Sequence, residues 1–269
     1  MSLDESLEAA DGVVDTAAAL NFLTRNQLRW RVESGRWQRP CRGVVVAHSG
    51  PLGEGQILRV ALLAAGRQSA LGGLTAAWLD GFTGFGDKTP VSVRPVHVIV
   101  PAGFKPRVMP PAVNTVIHYS RTLADLDVHP LRQPRRTRIA RSVIDAATWT
   151  PTDRGAMAVL AAGVQQRLVR VEDRRRVAQR TETLKRRALI FSILGDIAGG
   201  AEALSELDFT RRVIRACRLP EPSRQVARRD SRGRRRWIDV MWDECKLVVE
   251  IDGAQHVDDP AATLGRHGA

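Results

Sequence analysis

Trp237-Ile-Asp-Val-Met-Trp-Asp-Glu-Cys-Lys-Leu-Val-Val-Glu-Ile-Asp-Gly-Ala-Gln-His256 carries Asp239, Glu250 and Asp252 on what read as two adjacent strands. Ile238, Val240 and Trp242 alternate with Asp239 and Met241, the period of a strand. Leu247 to Ile251 is a short apolar run closed by Gly253, as a buried strand would be. A turn centred between Glu244 and Cys245 pairs Asp239 with Glu250 across the two strands, side chains on one face. Asp252, two residues on, shares that face. Carboxylates gathered on a buried sheet repel one another unless a cation compensates them. Oxygen ligands of this kind favour magnesium or a similar divalent ion. The plainer reading stands beside this one. Asp-Gly is a common turn dipeptide, and acids near strand ends are usually solvated, as Asp243 and Glu244 read.

Upstream, Glu206 lies on an amphipathic helix over Ala203–Cys217, with Leu204, Leu207, Val213 and Ile214 as packing positions. Gly199-Gly-Ala-Glu-Ala-Leu-Ser-Glu-Leu-Asp-Phe209, Leu219-Pro-Glu-Pro222, Arg234-Arg-Arg-Trp-Ile-Asp239 and Val248-Val-Glu-Ile-Asp-Gly-Ala-Gln-His256 together resemble one group. These are bacterial endonuclease-like domains related to very-short-patch-repair enzymes, in the PD-(D/E)XK nuclease superfamily. The resemblance implies Asp239 as the first metal-binding aspartate and Glu250 as the second acidic ligand of Mg2+ or Mn2+. It also implies Glu206 as the helix glutamate and His256 as a proton donor or acceptor. Asp252 stands where many superfamily members carry lysine, which removes a cationic stabiliser of the transition state. In the resembling domains a basic helix and further strands follow the histidine. Here Val257–Ala269 remain, so a C-terminally truncated domain is the expectation.

The front of the chain reads as a winged helix. Asp15 can cap a helix over Thr16–Leu23, and Thr24 a second over Arg25–Glu33 that ends at Gly35. Two short strands, Arg36–Arg42 and Gly43–Ala47, would form the wing. The second helix offers Arg25, Gln27, Arg29 and Arg31 to phosphates and base edges, although a solvated basic helix has the same composition. Thr24-Arg-Asn-Gln-Leu28, Ser34-Gly-Arg-Trp-Gln-Arg39 and Arg42-Gly-Val-Val-Val46 resemble the N-terminal domain of abortive-infection type IV antitoxins. That family usually has an additional helix between these elements.

The middle reads as a helix over Gln56–Ala65, a glycine-capped helix within Leu71–Gly81, strands at Pro95–Pro101 and Thr115–Tyr119, and a helix opening at Arg135. His97 and His118 fall on those strands at no ligand spacing and read as surface or core histidines. Asp145 reads as a local ion-pair or capping partner. Thr152–Leu194 is helical, and its run from Arg170 to Arg187 reads as a solvated basic face that could also track a DNA backbone. The expected class is therefore mixed α/β. A winged helix (1–50) precedes an α/β middle domain (51–150), a helical connector (151–200) and an incomplete restriction-endonuclease-like domain (201–269).

Net charge is +12 and pI near 11.0, and seven arginines against one acid lie between Arg224 and Arg236. Arg234, Arg235 and Arg236 are candidate phosphate contacts, since the planar guanidinium matches phosphate geometry. Double-stranded DNA is the expected partner, although arginine-rich chains are ordinary in high-GC genomes and charge alone does not separate DNA from RNA. Any toxin partner is unspecified. Cys41, Cys217 and Cys245 lack zinc or disulfide spacing, and the acidic N-terminus is no signal peptide. No apolar stretch suits a bilayer, so the chain is expected in the cytoplasm without a membrane partner. Two functions compete: a metal-dependent endonuclease guided by an antitoxin-like module, its cleavage expected to be weak or absent in the truncated domain, and a catalytically inactive antitoxin-like DNA-binding protein.

Overall fold

Side-chain caps start the first helices. In the computed structural model, which describes residues 2–106, 113–181, 184–199, 204–229 and 235–251, Ser2 and Glu5 form a capping box that opens α1 (Leu3–Ala9). Asp15 caps α2 (Thr16–Ala19) through the Ala17 N–H at 2.7 Å. Thr24 caps α3 (Arg25–Glu33), and Gln27 returns a carbonyl to the Thr24 N–H at 2.8 Å. Gly35 then takes a positive φ of 71° and lets the chain turn back. Between these helices lie β1 (Val13–Asp15), β2 (Gln38–Cys41) and β3 (Val44–Val46), in the sheet order β1-β3-β2. Both pairings are antiparallel. Neither α1 nor β1 is among the expected elements, although Leu3, Leu7 and Ala10 recur at helical spacing and pack against the core that holds Leu28 and Val45.

The central strand β3 is buried on both faces. Val45 packs with Leu28 and Trp37, whereas Val44 and Val46 join the core that holds Ile57, Val60 and Val98. Residues 1–50 and 51–149 thus share apolar packing. The chain divides into two compact units, Met1–Trp149 with Arg180–Thr183, and Thr150–Gln179 with Leu184–Ala269.

The rest of the first unit comprises α4 (Glu54–Ala65), β4 (Ala70–Leu71), α5 (Gly73–Leu79), β5 (Val96–Pro101), β6 (Thr115–Ser120) and α6 (Ile139–Trp149). Strand order is β4-β5-β6, with β4 antiparallel and β6 parallel to β5. α5 starts very close to its neighbours. A Cβ at Gly72 would stand 2.6 Å from Ile99, and one at Gly73 would stand 2.5 Å from Trp149. Only glycine admits that approach.

The second unit holds α7 (Asp153–Gln165), capped by Thr152, then α8 (Val171–Arg180), α9 (Arg187–Ala198) and α10 (Leu204–Phe209). A π-helical segment, Thr210–Arg215, continues α10. Strands β7 (Ser223–Arg229), β8 (Arg235–Trp242) and β9 (Leu247–Val249) form an antiparallel sheet in that order. The molecule is mixed α/β, as expected. The basic run before Trp237, given no element from the sequence, is strand over Ser223–Arg229, where β7 pairs along β8. One local expectation is corrected. The basic helical run is not uniformly solvated: Arg174 is wholly buried, its Nη1 donating to the Leu160 carbonyl at 2.6 Å.

Candidate acidic site and nucleic-acid interface

Pairing of β8 with β9 sets Val240 against Val249, Met241 against Val248 and Trp242 against Leu247. This is the register the hairpin reading requires; the ladder ends at Val240 and Val249, one residue short of Asp239 and Glu250 on the two strands. Val240 and Trp242 face a small core with Ile214, flanked by Phe209, Val249 and Ile251. The residues of α10 and its π-helical continuation therefore cover that face. Strand alternation gives Asp239 the other one.

Asp239 is half-buried and held at both oxygens. The Ile251 N–H donates to Oδ2 at 2.9 Å, and Gln225 Nε2 donates to Oδ1 at 3.3 Å. Glu250 is exposed, so the acids are not the buried cluster the sequence suggested. Glu206 is buried on α10, and its carbonyl accepts from Thr210 Oγ1 at 2.7 Å. Thr210 Oγ1 in turn accepts from Arg224 Nη1 at 2.8 Å. Arg224 stands opposite Val240, so this polar chain belongs to the helix-covered side. Among the described residues, no three His, Cys, Asp or Glu side chains stand close enough to hold a metal ion. Glu206, Asp239 and Glu250 do not converge as a three-ligand set. Asp252, His256 and Arg234 lie outside the described residues.

On α3, Leu28 is buried while Arg25 and Arg29, one turn apart, are exposed. Gln27 is committed elsewhere, its amide oxygen accepting from both the N–H and the hydroxyl of Thr24. Arg31 is half-buried with its guanidinium 5.4 Å from the Trp37 ring centroid, packing rather than projecting. Trp30 is exposed instead, with the Arg36 guanidinium 4.7 Å from its ring. On β8, Arg235 lies 4.7 Å over the ring of exposed Trp237, and Arg236 stands opposite Arg228 in the β7–β8 register. The indoles were legible as residues but not as surface.

Two further clusters arise only in three dimensions. His97 Nδ1 and His118 Nε2 are 2.9 Å apart, and Trp149 stacks on His118 with centroids 3.4 Å apart. Burial lowers the His97 pKa. The second cluster surrounds Arg141, which forms a doubly hydrogen-bonded ion pair with Asp145 and donates to Asp127 at 3.0 Å. Arg180 closes the cluster on Asp127. Asp145 is the ion-pair partner its spacing suggested, and burial outweighs Arg141 to push its pKa up to about 6.

No protein-family model matches the chain, and no curated protein matches it. Among the described residues, no helix is long and apolar enough to cross a membrane.

Proposed function

We propose that this chain is a DNA-binding protein whose C-terminal unit hydrolyses phosphodiester bonds with the help of a divalent cation. The observation that carries this reading is the β8–β9 register, which leads Asp239 toward Glu250 while the Ile251 N–H fixes the Asp239 carboxylate. The donor set fits magnesium or manganese. Each Asp239 oxygen accepts one hydrogen bond and keeps a lone pair, and Glu250 is exposed. Magnesium commonly takes one or two carboxylates and completes its octahedron with water and phosphate oxygens. Asp239 and Glu250 would hold the ion, which when bound supplies charge to the scissile phosphate and makes a bound water more acidic.

The chain's own residues do the positioning. Gln225 and Ile251 restrain the Asp239 carboxylate from two sides, so it need not be reordered when substrate arrives. His256 is the proton donor or acceptor that the endonuclease resemblance implies. The element order α1-β1-α2-α3-β2-β3, with β3 between β1 and β2, supports a winged helix. Arg25 and Arg29 on α3 would take phosphates. Manganese titration followed by calorimetry tests the site: binding that Asp239→Asn removes supports it, and equal binding by both proteins counts against it.

A second reading, an antitoxin-like DNA-binding protein without catalysis, is favoured by one observation. Glu206 is buried on the helix-covered side, away from the face that alternation gives Asp239. DNA affinity with no metal-dependent cleavage is its expected signature.

A further inference from the structure

β8 and β7 place a second set of residues beside Asp239. Alternation puts Arg235, Trp237 and Asp239 on one face of β8. Pairing sets Arg229 against Arg235 and Ala227 against Trp237, and the Gln225 side chain reaches Asp239. Trp237 is 53% exposed. Its strand-mate Trp242 is buried, its indole N–H donating to the Pro220 carbonyl at 2.8 Å. One strand therefore carries a packing tryptophan and a surface one. Ala227 is too small to cover the Trp237 ring from across the pair, while Arg235 adds charge against it.

We infer that Trp237 is a stacking platform for an unpaired base of single-stranded DNA, with Arg229 and Arg235 taking the adjoining phosphates. Exposed aromatic rings beside arginines bind single strands because every base offers a π-face and every linkage a negative charge. Paired bases hide those faces inside the stack, so the occupant is a strand that is open or locally unpaired. Two strand residues separate Trp237 from Asp239 by ~6.6 Å. That is roughly the length of one nucleotide of extended strand. A base stacked on Trp237 brings a neighbouring phosphate to Asp239, a last step that rests on the nuclease reading above.

Binding is read without divalent metal, so the test does not depend on cleavage. The probes are a fluorescein-labelled oligo-dT, its RNA counterpart oligo-U and a blunt duplex, each titrated with the full chain by anisotropy. Trp237→Ala is expected to weaken oligo-dT binding by roughly 5- to 140-fold, the range for removal of one base stack. Trp237→Phe retains most of the affinity, and neither change moves duplex binding more than about twofold. Unchanged oligo-dT binding by Trp237→Ala overturns the inference, as does a loss in Trp237→Phe as deep as in Trp237→Ala. Tighter binding of oligo-U than oligo-dT assigns the platform to RNA and overturns the DNA assignment. A normal Trp237 effect in a protein that nicks no plasmid with magnesium or manganese sinks the nuclease reading and leaves the platform standing.

Discussion

Asp239 accepts a hydrogen bond from the backbone N–H of Ile251 at 2.9 Å, so a carboxylate on β8 is tied to the chain just beyond β9. The bond joins the two halves of the hairpin at the residue next to Glu250. It gives Asp239 a structural duty separable from any chemical one. Asp239→Ala should destabilise the second unit by about 1.5–3 kcal/mol, the typical worth of a hydrogen bond to a charged group. Asp239→Asn, which keeps an acceptor oxygen for Ile251, should lose less than half of that in urea unfolding.

How the site was legible follows from this hairpin. The alternation around Asp239 and the turn near Glu244 were enough to give the register that pairs Val240 with Val249. The caps at Asp15 and Thr24 were equally local and readable. β7 was not, because Ser-Arg-Gln-Val-Ala-Arg-Arg reads as solvated charge until β8 supplies backbone partners. Nor was the pairing of His97 with His118, which depends on the parallel register that sets Ile99 against His118. Spacing along the chain cannot reveal that register. Glu206 was legible as a helix residue, but which side of the sheet its helix covers is a tertiary fact.

The buried Arg174 predicts an asymmetric response to substitution. Its Nε and Nη2 are buried without a hydrogen-bond partner among the described residues, and burial lowers its pKa to about 10. Arg174→Met fills the same space without a desolvated charge and should leave stability unchanged or raise it. Arg174→Ala opens a cavity and should cost about 2–4 kcal/mol. Chemical denaturation of the two variants checks the order.

Asp145 predicts a pH dependence. Its folded pKa, pushed up to about 6 by burial, lies above the ordinary carboxylate value of 3.8. Between those values the folded state binds more protons than the unfolded one, so this residue's contribution is full below about pH 4. It is lost as pH rises through about 6. At one pKa unit per 1.36 kcal/mol, the loss is on the order of 2–3 kcal/mol. Asp145→Asn cannot titrate, so its stability relative to wild type should rise by that order between pH 4 and pH 7. A constant difference between the two proteins across that range would contradict the assignment.

Phosphate binding predicts the salt response. If Arg25 and Arg29 take duplex phosphates, the double alanine variant should lower the slope of log affinity against log salt by about 0.9 for each phosphate left unneutralised. Replacing Arg234, Arg235 and Arg236 should flatten the slope further if the β8 arginines share the same DNA. A slope altered by only one of the two variants identifies which surface carries the duplex.

The central claim is that Asp239 holds a divalent cation that cuts DNA. Supercoiled plasmid incubated with the protein, with magnesium or manganese and then with EDTA, measures it most directly, run beside Asp239→Asn. The account predicts nicked plasmid that depends on the metal and disappears in Asp239→Asn, while DNA affinity persists. Equal nicking by both proteins, or none by the wild type with either metal, would contradict it.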